Sequence, residues 1–258
     1  MTAAAIAFEA VSKRYGTQSV LDDISFSIGR GEFVAIVGPS GSGKTTLLRL
    51  VNRLSEATDG VVRIGGEDIL SLDPIALRRR TGYVFQGIGL FPHLTVAENI
   101  AITPRLLGWE PGRRKARADE LLALMRLDTD YATRFPHELS GGERQRVGIA
   151  RALAAGPDIV LMDEPFSALD ALTREALGDD YRRLHAALDL TSVMITHDML
   201  EALLLADRII VVREGRIIAD GRPPDLMRRD DDPFLRELLD TPRRHAERLG
   251  AFIAGPPP

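Results

Sequence analysis

No cysteine occurs among the 258 residues, so the chain can hold neither a disulfide nor a zinc–thiolate site, and its composition fits a reducing compartment. It also lacks any run of about 18 uncharged apolar residues, the length a membrane-spanning helix requires. Even the apolar stretch Met199–Ala206 is interrupted by Glu201. Net charge is small: 33 Lys plus Arg stand against 37 Asp plus Glu, giving −4, which disfavours a protein that coats nucleic acid. Residues 1–10 have no basic segment and place Glu9 inside their apolar stretch, so a secretory leader is not expected and a cytoplasmic location is. Any membrane role is expected to pass through a partner. Internal repeats and low-complexity blocks are also missing.

With 45% hydrophobic and 27% charged residues, the chain has the balance of an ordinary globular protein able to bury a sizeable core. Four short apolar runs, Phe33–Val37, Ile159–Met162, Ser192–Thr196 and Ile209–Val212, read as buried parallel strands. Helical patterns lie between them, such as Leu47, Val51 and Leu54, then Leu200, Leu203 and Leu204. Strand alternating with helix predicts an α/β layered domain. Alternation at Ile6–Phe8 and Ile24–Ile28, with Val61–Ile64 before Gly65-Gly66, predicts a small antiparallel sheet at the N-terminal side. Between Pro104 and Arg134 the sequence turns rich in Arg, Ala and Leu, with Leu121, Leu122, Met125 and Leu127 near helical spacing, which suggests an inserted helical lobe. Beyond Gly221 the pairs and triplets of Pro and Asp predict a surface helix and a frayed tail ending in Pro256–Pro258.

Chemistry enters at Gly38-Pro39-Ser40-Gly41-Ser42-Gly43-Lys44-Thr45, which fits the P-loop pattern and falls between a buried strand and a helix. Glycines allow successive backbone N–H groups to curl around phosphate oxygens, and the helix N-terminus, with Thr46 in its first turn, adds its dipole. In such loops the lysine, here Lys44, bridges the β and γ phosphates, and the hydroxyl, here Thr45, holds Mg²⁺. A second element, Ile159-Val160-Leu161-Met162-Asp163-Glu164, is an apolar strand ending in two carboxylates. Asp163 is suited to orienting Mg²⁺ through water and Glu164 to polarising the water that attacks the γ phosphate. An apolar run ending in Asp-Glu is common by itself and gains meaning only beside the P-loop.

The deciding stretch is Leu139-Ser140-Gly141-Gly142-Glu143-Arg144-Gln145-Arg146. Its plain reading is a capping box, Ser140 with Glu143, opening a helix over 143–153; a cap, however, does not need two glycines as well. Here the chain resembles the ABC ATPase family, and the resemblance implies a P-loop NTPase (RecA-like) core, an N-terminal antiparallel β subdomain and an α-helical subdomain inserted at about 88–155. The expected division is an ATPase domain over 1–240 and a tail over 241–258. In that family Ser140, Gly141, Gly142 and Glu143 meet the γ phosphate held by the opposite subunit, and the usual residue at 143 is Gln. Altered local hydrogen bonding is expected there. The resemblance further implies that Tyr15 stacks on adenine, that Gln86 after Tyr83–Phe85 senses Mg²⁺ and the attacking water, and that His197 grips the γ phosphate. Ser167, Ala168, Leu169 and Asp170 look like the D-loop that contacts the partner subunit.

The family resemblance implies two copies, or paired ATPase subunits, closing on ATP and Mg²⁺ and driving a separate transmembrane permease, indirectly served by a solute-binding protein. The implied seat is peripheral, on the cytoplasmic face of the bacterial cell membrane. Gly87-Ile88-Gly89 before Leu90-Phe91-Pro92-His93, together with residues 158–170, is similar to the importers of glycine betaine, choline and related quaternary amines. Amino-acid, polyamine or lipid cargo stays open, since neighbouring subfamilies share the motifs. A soluble ABC ATPase of DNA repair or translation would need coiled-coil insertions, zinc modules or paired ATPase units. Regulation by C-terminal CBS modules, which several relatives carry, is not expected.

Overall fold

The continuous apolar runs are strands buried on both faces, and that placement explains why they show no alternation. The computed structural model describes residues 4–254. The chain forms β1 (Ile6–Tyr15), β2 (Gln18–Ile28), β3 (Phe33–Val37), α1 (Lys44–Val51), β4 (Asp59–Ile64), β5 (Glu67–Asp68), α2 (Pro74–Arg80) and β6 (Thr81–Val84). A helical stretch follows, with α3 (Val96–Ile100), α4 (Ile102–Leu106), α5 (Pro111–Leu124), two 3-10 turns and α6 (Gly141–Leu153). Then come β7 (Ile159–Asp163), α7 (Ala171–Ala187), β8 (Thr191–Thr196), α8 (Met199–Leu205) and β9 (Arg208–Arg213). The last elements are β10 (Arg216–Gly221), α9 (Pro223–Leu226) and α10 (Pro233–Ala254).

Strands β10-β9-β3-β8-β7-β6 make one six-stranded sheet, parallel except for β10. Successive residues of β3 feed two different cores: Phe33, Ala35 and Val37 join one, Val34 and Ile36 the other. The same division holds for Val160 and Met162 against Ile159 and Leu161 on β7. A parallel sheet covered on both faces needs apolar residues at every position, since side chains alternate between faces.

One core is closed by the second sheet, the antiparallel β2-β1-β4-β5, together with α1 and α2. The strands of its hairpin run well past the segments read from the sequence, because bulges between Phe8 and Val11 and between Val11 and Lys13 break the period of two. The other core holds the inserted lobe, where Val96, Ile100, Ala118, Leu121, Leu122 and Met125 pack from α3, α5 and their borders. Helix α6 starts at Gly141, two residues earlier than expected, since its first turn holds the two glycines, weak helix formers that conceal the start.

Helix α10 spans the expected boundary at 240/241, with Pro242 inside it. Its first turns are anchored by buried Leu235 and Leu239. The terminal Pro256–Pro258 lie outside the described residues.

Truncation of the fully buried Leu161 to Ala on β7 is expected to cost about 2–5 kcal/mol, read from the urea unfolding midpoint. Leu172→Ala, at an 80% exposed position of α7, is expected to stay within about 0.5 kcal/mol.

Candidate functional site

Every motif of the sequence that belongs to the core emerges at the carboxyl ends of the parallel strands, the edge where open α/β sheets bind ligands. β3 leads into the P-loop, β6 into Gln86, β7 into Asp163 and Glu164, and β8 into His197.

At Gly38 no side chain fits: a Cβ would stand 2.0 Å from the Val212 carbonyl oxygen. Gly43 has φ +101° and its Cβ would meet Leu21 at 2.6 Å, so the turn into α1 demands glycine for both backbone and space. A Cβ on Gly41 would meet nothing within 4 Å, so the loop is open on that side. Pro39 and Ser40 are exposed. Lys44 is buried, and its Nζ donates to the carbonyls of Gly38 at 2.6 Å and Pro39 at 2.8 Å. Burial pushes its pKa down, against the opposing pull of Glu164 and Asp163. The Ser42 hydroxyl is buried without a partner in the same loop, and Thr46 is buried in the first turn of α1.

The hydroxyls of Tyr83 and Thr45 lie near the Asp163 carboxylate. Burial first and Glu164 second push its carboxyl above the usual carboxylate range, with Arg49, Tyr83 and Thr45 opposing. Glu164 has a left-handed backbone, φ +44°, and its N–H donates to Ile195 O at 3.0 Å. Its Oε2 accepts from Gln86 Nε2 at 3.1 Å and lies 3.3 Å from His197 Nδ1. The structure thus brings Gln86, Glu164 and His197 together, and Thr45 to Asp163.

The other segments lie apart. Tyr15 ends β1 half-exposed, with its hydroxyl 3.2 Å from Ser55 Oγ and Lys13 Nζ 4.8 Å from its ring centre. Ser140 caps α6: its Oγ accepts from Glu143 N at 3.3 Å, and Glu143 Oε2 accepts from Ser140 N at 2.7 Å. Glu143 Oε1 also accepts from the Tyr131 hydroxyl at 2.6 Å. The Tyr131 bond, followed by those from Ser140, holds the Glu143 carboxyl below the usual range. The carboxylate therefore uses both oxygens as acceptors, whereas a Gln here would accept with one and donate with the other.

Gly142 has a packing reason of its own, which the sequence did not disclose: its Cβ would stand 2.6 Å from Thr173 Cγ2 of α7. A Cβ on Gly141 would meet nothing. In the 167–170 segment, Ser167 and Ala168 are exposed while Leu169 is buried in the core, and Asp170 caps α7 by accepting from Thr173 N at 3.0 Å. Ser167 Oγ donates to Glu164 O at 3.1 Å, so this segment also steadies the carboxylate's backbone.

Sequence reasoning missed Tyr83 and Arg49, which set the surroundings of Asp163. It also missed Arg174, which reaches Asp198 Oδ2 at 3.3 Å and Leu169 O at 3.0 Å, joining the 167–170 segment to the residue beside His197. No residue pattern marks such pairs, which form only when α7 and α8 pack.

These features define an α/β core with a P-loop at its sheet edge and a capped pair of glycines on the inserted lobe. The family model described as "ABC transporter" matches residues 21–167, and the chain belongs to that family. It is 47% identical over 239 residues to the choline transport ATP-binding protein OpuBA of Bacillus subtilis, covering 92% of this chain but 63% of OpuBA. To the glycine betaine uptake system ATP-binding protein YehX of Escherichia coli it is 47% identical, covering 91% of this chain and 76% of YehX. A solved structure titled as the dimeric post-hydrolysis state of the ATP-binding cassette MJ0796, bound to ADP and Pi, superposes with a TM-score of 0.76 at 35% identity. That match covers 84% of this chain and 98% of MJ0796. The fold is the ABC ATPase fold.

Tyr131→Phe removes the largest cause that depresses Glu143, so its titration midpoint is expected to rise toward the ordinary glutamate value. The folded-state pKa lies below the unfolded one, so the stabilisation is full above the ordinary range and fades as pH falls through the depressed value. Wild type is accordingly expected to melt higher than Tyr131→Phe at neutral pH, with the gap closing in acid; carboxyl NMR and thermal melts against pH check both.

Proposed function

We propose that the chain is the ATP-binding and ATP-hydrolysing subunit of an ABC importer that energises uptake of glycine betaine, choline or a related quaternary amine. The observation that carries the hydrolytic reading is the convergence of Gln86 and His197 on Glu164, at the sheet edge where the P-loop presents Lys44. In this reading Lys44 leaves the carbonyls of Gly38 and Pro39 for phosphate oxygens, while amides of residues 40–46 and the Ser42 hydroxyl cradle the rest. Tyr15 stacks on the adenine.

Glu164, oriented by Gln86, takes a proton from the attacking water, and His197 steadies the γ phosphate. Mg²⁺ fits the oxygen donors Thr45 and Asp163, with Gln86 nearby, and when bound would neutralise phosphate charge and order water there. Among the described residues no cluster of three or more His, Cys, Asp or Glu could hold a metal ion, so the ion of this proposal would depend on substrate and water for its other ligands.

Two copies of the chain are proposed to sandwich two ATP molecules, with Ser140, Gly141, Gly142 and Glu143 of one facing the P-loop of the other. Residues 167–170 of the two chains meet between the sites. The open space at Gly141 supports this reading, since a ligand can approach that backbone closely. Among the described residues no helix is long and apolar enough to cross a membrane; transport is proposed to pass through a separate permease. Phe85, Phe91 and Leu54 are large exposed apolar side chains that line one groove with Ile102, and they form the proposed permease seat. Asn99 hydrogen-bonds the backbone of Phe91 and Leu94, which holds that loop outward. The location proposed is peripheral, on the cytoplasmic face of the bacterial cell membrane, with a solute-binding protein acting indirectly and no nucleic acid involved.

The names of OpuBA and YehX support the quaternary-amine cargo. A second cargo is favoured by one finding: a sulfate/thiosulfate import ATP-binding protein of Bacillus cereus is 45% identical over 238 residues.

Glu164→Gln is expected to retain ATP binding and to lower turnover by about 100-fold or more; equal rates would remove Glu164 from the mechanism. The chain co-purified with its permease in lipid, with the binding protein added, is expected to hydrolyse ATP faster on addition of glycine betaine or choline. Stimulation by sulfate instead would keep the engine and change the cargo.

A further inference from the structure

Gln86 is exposed and sits in a loop, so something must hold its amide on Glu164. The backbone around it folds twice within the five residues 85–89. Ile88 N donates to Phe85 O at 3.1 Å, and Gly89 N donates to Gly87 O at 2.6 Å, so a three-residue turn centred on Ile88 follows a four-residue one. Ile88 has φ +60° and Gly89 φ +59°. A γ-turn of positive φ is rare and strained, and a β-branched residue is the least suited to its centre. Local sequence does not favour this turn, and its support must come from outside the loop.

That support is Arg151, near the end of α6. Its Nη1 donates to Gly89 O at 2.6 Å and its Nη2 to Ile88 O at 2.7 Å, so one planar guanidinium grips both carbonyls of the turn. The side chain is 8% exposed and pairs with no carboxylate among the described residues. Burying a guanidinium is costly unless its donors are satisfied, so the pairing with these carbonyls is what makes the placement tenable. Ile88 also packs against Gly148, one turn earlier on α6, where a Cβ would meet Ile88 Cγ2 in an ordinary contact of 3.5 Å. The grip of Arg151 and the contact at Gly148 come from the same helix.

We propose that Arg151 is a positioning residue: by clamping the Ile88 and Gly89 carbonyls it maintains the strained turn that holds Gln86 against Glu164. This deepens the hydrolytic reading above and rests on it. Arg151 touches neither substrate nor reacting atoms; it acts through Gln86. The clamp is a link across 62 residues of sequence between the lobe that carries Ser140 and the loop that carries Gln86. Lysine is a poor substitute, because a single ammonium does not reproduce two divergent donors on one plane.

Two measurements on the full chain test this, one independent of turnover. In amide exchange without nucleotide, Arg151→Met is expected to speed exchange at Ile88 and Gly89 by about tenfold or more while amides of β3 and β7 stay unchanged. In ATPase assays, Arg151→Met is expected to lower kcat by about tenfold with KM for ATP within about twofold, and Arg151→Lys to fall between. Added to Gln86→Ala, it is expected to cost less than about twofold more, since both act on one interaction. Adding Ile88→Gly to Arg151→Met is expected to restore part of the rate, because glycine adopts the turn without being held.

Unchanged exchange at Ile88 and Gly89, or an Arg151→Met loss as large in Gln86→Ala as in wild type, would overturn the assignment. If Arg151→Met does not fold, Arg151→Lys carries the same exchange and additivity tests. A wild-type chain that hydrolyses no ATP would instead remove the proposed function, and the exchange result would still decide whether Arg151 holds the turn.

Discussion

Glu164 leaves β7 in a left-handed conformation, and the hydrogen bond from its N–H to Ile195 O is what gives two adjacent carboxylates separate surroundings. A non-glycine residue at positive φ is disfavoured and persists only where neighbouring structure over-determines it. Here β8 supplies that determination through its register with β7, in which Asp163 lies opposite Ile195. Ser167 adds to it by donating from both N and Oγ to the Glu164 carbonyl. Asp163 consequently stays on the strand, facing Thr45 and Tyr83, while Glu164 turns off it toward Gln86 and His197. Had the chain continued as a regular strand, the two carboxylates would point to opposite faces, and they would not share one edge.

That register is stiff because the sheet is packed on both sides. Val160 and Met162 lie in one core, Ile159 and Leu161 in the other, so a slip of one residue would exchange the two sets and expose neither to water. The cost of a slip is therefore steric rather than hydrophobic: each core has close-packed shapes to match. The same two-sided burial made these strands legible in the sequence, as uninterrupted apolar runs closed by glycine, acid or histidine. The P-loop and the pair of carboxylates were legible for a related reason, since their positions follow directly from the strands that carry them.

What stayed hidden depends on long-range contact or on irregular backbone. The middle of β1 was unreadable because its bulges destroy the alternation that marks a strand. Glu143 could be placed in a capping box from its spacing to Ser140, but its second partner, Tyr131, comes from a 3-10 turn with no periodic signature. Gly142 could be read only as half of an anion site until Thr173 of α7 was found against it. Arg151 illustrates the limit most clearly: in sequence it is one more arginine on an amphipathic helix, and only the fold brings the carbonyls of residues 62 and 63 positions away to its guanidinium.

The charges at the sheet edge suit the anion and the cation of the proposed function. Lys44 donates to the loop's own carbonyls, those of Gly38 and Pro39. The Ser42 hydroxyl has no partner among the described residues. A polyphosphate would satisfy both groups, which favours its binding. The same anion would approach Asp163 and Glu164, and the upward shift of Asp163 indicates that burial and its acidic neighbour already outweigh Arg49 and the two hydroxyls. Adding phosphate charge to that edge without compensation would drive Asp163 toward its protonated form. In the proposed function a divalent cation held by Thr45 and Asp163 would oppose this, favouring the ionised carboxylate and neutralising phosphate charge. Thr45 and Asp163 would thus hold the cation that makes the anion tolerable to the carboxylates, while Lys44 and the loop amides would favour the anion directly.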